Sequence, residues 1–124
     1  MISFFIPGPP VAWARARRAG NRYFVDEKTA AAKRAIASAA KAAGAKVATG
    51  PLAIWITVYI EKPKRRKDAY PTSRPDADNY AKLVMDALNG VAWTDDALVV
   101  SLHVDKQWSG ESGPCTTITI GTMS

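Results

Sequence analysis

Pro75-Asp-Ala-Asp-Asn-Tyr-Ala-Lys-Leu-Val-Met-Asp-Ala-Leu-Asn-Gly90 is the stretch from which the rest of the fold can be placed. At about 100° per residue, Tyr80, Leu83, Val84, Ala87 and Leu88 fall on one arc, the stripe of a helix with one buried face. Asp78, Asn79, Lys82 and Asp86 share the opposite side. The spacing predicts a helix over about Asp76 to Asn89, ended by Asn89-Gly90.

Outward from this helix the chain alternates between strand and helix signals. Ile2 to Ile6 reads as an opening strand stopped by Pro7-Gly-Pro-Pro10, followed by a Pro, Gly and Arg loop over residues 7 to 22. Tyr23-Phe-Val25 reads as a short extended segment. Asp26 to Ala43 is rich in Ala and Lys and predicts a second helix, with Asp26 as cap and Gly44 as stop. Leu52, Ile54, Ile56, Val58 and Ile60 alternate, the period of a strand with one buried face. Ala97 to Trp108, with Leu98, Val100, Leu102 and Val104 alternating, and Thr116 to Ile120 supply two more strands. The expected order is β-α-β-α-β-β: an α+β fold, one small domain over residues 1 to 124, its mixed or antiparallel sheet covered by two helices.

At 124 residues the chain can bury about two thirds of its unfolded surface in one core. No apolar run approaches the roughly 20 residues of a membrane span, and Met1 to Pro7 has no basic leader region. The single Cys115 excludes an internal disulfide framework and reads as a buried structural thiol. These features predict a cytoplasmic protein with no membrane partner and no small-molecule cofactor. Tyr80 and Trp93 read as core, and the lone His103 as half-buried scaffold.

Charge is divided along the chain. Residues 1 to 75 carry fifteen Lys or Arg against four acids, a balance of +11, and residues 76 to 124 carry two against seven, a balance of −5. Lys62-Pro-Lys-Arg-Arg-Lys67 holds five cations in six positions, and Arg15, Arg17, Arg18 and Arg22 lie within eight. With Arg74 these form a field suited to a phosphate backbone. Five of the eleven acids fall between Asp76 and Asp96. Each has an ordinary reading alone: Asp76 as helix cap, Asp78 and Asp86 as helix pairs with Lys82, Asp95 and Asp96 as turn residues. Their concentration in a basic chain points instead to a divalent cation. If Asp96 reaches Asp76 and Asp78, three carboxylates make an oxygen-only site for Mg²⁺, with Mn²⁺ as a substitute. Lys82, one turn beyond Asp78, would then orient that acid or offset charge on a reacting phosphate.

Arg74-Pro-Asp-x-Asp-Asn-x-x-Lys-x-x-x-Asp-Ala-Leu-Asn-Gly-x-x-Trp-x-Asp-Asp96, followed by Val99-Val-Ser-Leu-His-Val-Asp-Lys106, resembles the RusA family of Holliday junction resolvases. Ile6-Pro-Gly-Pro-Pro-Val11, Arg15-x-Arg17 and Asn21-Arg-Tyr23 resemble that family's basic opening segment. The resemblance implies a homodimeric, Mg²⁺-dependent endonuclease of mixed α/β fold, of a kind often encoded by prophages. Such enzymes bind four-way DNA junctions and nick two opposing strands symmetrically. It also implies that Asp76, Asp78 and Asp96 are the essential carboxylates and Lys82 the essential lysine; Asp86 and Asp95 match common family residues too, and their spacing suits supporting contacts. Trp13 departs from the pattern, standing where relatives often carry lysine, as does Ala16 where they often carry proline. Two other functions fit the same residues: a non-catalytic basic nucleic-acid-binding module, and a nuclease acting on flaps, forks or other branched DNA.

Overall fold

A computed structural model describes residues 1–14, 17–20, 22–24 and 26–123, with backbone alone for 17–19 and 22–24. Nine elements follow in order among them: β1 (Ile2–Pro7), β2 (Arg17–Ala19), β3 (Arg22–Phe24), α1 (Glu27–Ala42), β4 (Leu52–Ile60), α2 (Ala77–Leu88), a single 3-10 turn (Asp96–Leu98), β5 (Val99–Trp108) and β6 (Cys115–Thr122). The predicted β-α-β-α-β-β order holds, with one addition. β2, within the stretch expected to be loop, pairs as a small antiparallel hairpin with β3, which overlaps the extended segment expected at Tyr23-Phe-Val25; Val25 lies outside the described residues. The side chains of Arg15, Arg17, Arg18 and Arg22 lie outside the described residues.

The main sheet has the strand order β1-β6-β4-β5. β6 runs antiparallel to both β1 and β4, and β5 runs parallel to β4. A parallel neighbour needs a crossover connection, and the segment containing α2 supplies it. The sheet is therefore mixed, and α2 must pass across its face between β4 and β5. Its stripe makes that favourable: Tyr80, Leu83, Val84, Ala87 and Leu88 are all buried. They meet Ile54, Ile56, Val58, Ile118 and Ile120 from the sheet and Ile36 and Ala40 from α1 in one core. Both helix ends obey local chemistry. Asp26 caps α1, accepting from the Lys28 backbone N–H, and Gly44 beyond its end takes a φ of +93° that few other residues adopt.

β5 differs from its expected pattern. Leu98 belongs to the 3-10 turn, and the pairing moves from Leu52–Val99 directly to Ala53–Ser101, so Val100 is an extra residue in a bulge. The bulge takes Val100 out of phase, and it is 63% exposed. Leu102 returns to the helix side but lies on an edge strand, where no further strand covers it. Two smaller expectations also change. His103 is exposed on the open face of the sheet, stacked on Trp55 at 5.4 Å, and Cys115 is half-buried rather than buried.

Candidate active site

The start of α2 and the turn before β5 bring the acidic residues toward one another. A cleft of about 550 Å³ is lined by Asp78, Lys82 and Asp86 from α2, Asp96 from the turn, and Leu102 and Val104 from β5. The first turns of α2 and the turn at the end of the crossover thus face a common space, because α2 lies beside the strand that Asp96 introduces.

Asp96 is held by the core. Trp93 is completely buried, and its indole Nε1 donates to Asp96 Oδ1 at 2.7 Å. A buried indole N–H needs an acceptor, and this one orients a carboxylate that remains partly open to solvent. Asp95 has the ordinary turn role, accepting from the Ala97 backbone N–H at 3.1 Å. Asp86 reaches Lys33 of α1 at 3.8 Å, a half-exposed pair between helices worth at most about 1 kcal/mol.

Asp76 occupies the cap position of α2, yet its side chain makes no capping hydrogen bond. The chain just before it is fixed from elsewhere: Lys106 Nζ donates to the carbonyls of Ser73 and Pro75, each at 2.8 Å. The cap reading is therefore not realised, and the Asp76 carboxylate stands exposed at the mouth of the helix. It is not among the residues lining the cleft, so Asp78 and Asp96 share that space without it.

Lys82 departs from the expected helix pair. Among the described residues its ammonium makes no ion pair within 4.0 Å, and its Nζ lies 3.6 Å from the centroid of the Trp13 ring. An exposed helix pair contributes about 0.2–0.5 kcal/mol and a cation on an aromatic face about 0.5–1 kcal/mol, so the ring outcompetes the carboxylates.

The donor chemistry fits a hard divalent cation. Asp78 and Asp96 offer carboxylate oxygens, and no His or Cys lines the cleft. Among the described residues no three His, Cys, Asp or Glu side chains form a preformed cage. Mg²⁺ is commonly held through one or two carboxylates together with water and substrate phosphate, so two acids on one cleft suit it.

The cations of the basic loop after β4 divide into exposed ones and an engaged one. Lys62, Lys64, Arg65 and Lys67 are exposed. Arg66 is engaged within the loop: it donates to both oxygens of Asp68 at 2.9 and 2.6 Å and to Ser73 at 2.7 Å, and it lies 5.4 Å from the Trp108 ring. Trp108 in turn donates to the Asp68 carbonyl at 2.9 Å. Hydrogen bonding from Arg66 holds the Asp68 carboxyl down at about 2. Trp93, Lys106, Trp108 and Trp13 were not assigned to the site from sequence. For Trp93 a signal existed, since a core indole three residues before an acid needs an acceptor.

The profile of the family described as Endodeoxyribonuclease RusA matches residues 7–121. The chain belongs to that family. Nuclease activity and Holliday junction resolution are what this membership implies. The chain is also similar to the uncharacterized protein YqaN of Bacillus subtilis (strain 168), 35% identical over a gapped alignment of 127 positions that covers 89% of each chain.

Two outcomes follow for stability and titration. Trp93→Phe removes the N–H and also part of the buried indole, leaving a void in the core, and should cost about 2–3 kcal/mol in denaturant unfolding. Asp96→Asn retains a carbonyl acceptor and should cost less than Trp93→Phe. The Asp68 carboxyl, followed by NMR, should titrate at about 2. Because its folded value is depressed, the pair's contribution is complete above the ordinary carboxylate range and is lost as pH falls toward 2. Arg66→Gln should return the midpoint toward about 3.9, and an unmoved midpoint would refute the pairing.

Proposed function

We propose that residues 1–124 act as a single Mg²⁺-dependent endonuclease domain that resolves four-way DNA junctions by paired, symmetric nicks. The observation that carries this reading is the cleft on which Asp78 and Asp96 meet beside Lys82. Asp78 and Asp96, with Asp76 at the helix mouth, hold the ion, and Mn²⁺ substitutes for it. When bound, such an ion supplies Lewis-acid chemistry, neutralising phosphate charge and making water a stronger nucleophile.

The chain's own groups do the rest. Trp93 keeps Asp96 turned toward the cleft, and Lys106 fixes the backbone that delivers Asp76 and Asp78. Lys82 offers its charge to the phosphate as negative charge develops there. Lys62, Lys64, Arg65 and Lys67, with Arg74 and the N-terminal Arg15, Arg17, Arg18 and Arg22, bind flanking phosphates, while Arg66 shapes the loop that presents its neighbours. Phosphate contacts carry no sequence information, so selectivity for a junction comes from DNA shape and from the spacing of two centres. Two symmetric incisions require two centres related by a two-fold axis, hence a homodimer.

The test is cleavage of a labelled synthetic four-way junction and a matched linear duplex, with Mg²⁺ or EDTA. Wild type should make paired nicks in the junction only with Mg²⁺. Asp76→Asn, Asp78→Asn and Asp96→Asn should each abolish cleavage while keeping or strengthening junction binding, since each removes repulsion against phosphate. Wild-type cleavage by all three variants would contradict the assignment. Tight junction binding without incision under any divalent ion would leave a binding module.

A further inference from the structure

Lys82 stands on the outer face of α2 with Asp78 one turn before it and Asp86 one turn after it. Helical spacing offers the ammonium two carboxylate partners, and among the described residues it pairs with neither within 4.0 Å. Asp86 pairs with Lys33 of α1 instead. The group that Lys82 does touch comes from the N-terminal segment: its Nζ lies 3.6 Å from the centre of the Trp13 ring.

Trp13 is fixed independently of this contact. Its backbone N–H donates to the Asn79 carbonyl at 2.9 Å, tying the segment to the first turns of α2. Val11, Ala12 and Trp13 are all partly buried against the core. The ring is therefore set in place by the fold, and the flexible lysine side chain comes to rest on it. An aromatic face attracts an ammonium through its quadrupole without neutralising it. A carboxylate would attract the same ammonium and cancel its charge, occupying an oxygen of Asp78 as well.

We infer that Trp13 is a positioning residue whose ring holds the Lys82 ammonium away from Asp78 and Asp86, as an uncancelled charge beside the cleft for a phosphate oxygen of bound DNA. The inference rests on the nuclease reading above. It assigns to Trp13 a role separate from DNA affinity: removal of the ring lets Lys82 fall onto Asp78, which weakens the reaction more than binding.

Trp13→Leu and Trp13→Phe are compared with wild type in single-turnover junction cleavage, in junction affinity, and in the NMR shift of the Lys82 ε-methylene. Trp13→Leu keeps apolar bulk without a π face and should slow cleavage about 10-fold, with affinity changed less than about twofold. Trp13→Phe should recover most of the rate. In wild type the ring current should move the Lys82 ε-methylene upfield, and Trp13→Leu should return it to the ordinary position. An unchanged cleavage rate in Trp13→Leu, or equal losses in Leu and Phe variants, would overturn the role of Trp13 alone. An unshifted wild-type methylene would overturn the placement whether or not the variants fold. A wild type that cuts no branched DNA would overturn the nuclease reading, with the methylene shift still deciding whether Trp13 holds Lys82.

Discussion

Trp93 is buried to the last atom, yet its indole N–H needs an acceptor, and Asp96 supplies one at 2.7 Å. That hydrogen bond joins the core to the cleft. The core needs a large apolar group below the turn before β5, and satisfying that group's one polar atom brings a carboxylate to the surface in a set orientation. On the other side of the cleft, Asp78 is presented by a helix whose apolar stripe leaves it little freedom to rotate. The site is thus fixed by packing on both sides rather than by attraction between its members, which are like charges.

Such repulsion is left uncancelled because the surrounding structure engages the neighbouring basic groups elsewhere. Lys82 rests on Trp13, Lys106 is engaged with backbone carbonyls, Lys33 takes Asp86, and Arg66 takes Asp68. Asp78 and Asp96 consequently face the cleft without an ion-pair partner among the described residues. In a chain of net charge +6 this separation is notable, since many cations lie within a short loop's reach. It also gives the basic residues different tasks: some shape loops, and the exposed ones are open to a polyanion.

Much of this was readable in advance where the signal was periodic or local. The stripe from Tyr80 to Leu88 identified α2 and its outer acids, because burial on a helix repeats with the helical turn. The alternation of Leu52 to Val58 identified the central strand for the same reason. Val100 escaped, since one bulged residue breaks a period-2 pattern without leaving a mark in composition. Asp76 resembled a cap because its position is that of a cap; only the geometry reveals that its carboxylate oxygens bond no helix N–H. The contact between Trp13 and Lys82 joins segments far apart in sequence, so no local pattern encodes it. Arg66 looked like its neighbours in a basic run; its paired hydrogen bonds to Asp68, two residues on, set it apart, and Trp108, 40 residues beyond Asp68, braces that turn through the Asp68 carbonyl.

In the proposed reaction Asp78 and Asp96 together hold a divalent ion against the phosphate that is cut. Anomalous scattering from Mn²⁺ in crystals of the protein bound to a junction with a non-hydrolysable scissile linkage tests it directly. A peak is expected about 2.0–2.2 Å from carboxylate oxygens of both Asp78 and Asp96 and adjacent to the scissile phosphate. A peak bound elsewhere on the chain, or a junction seated with no ion between these two acids, would contradict it.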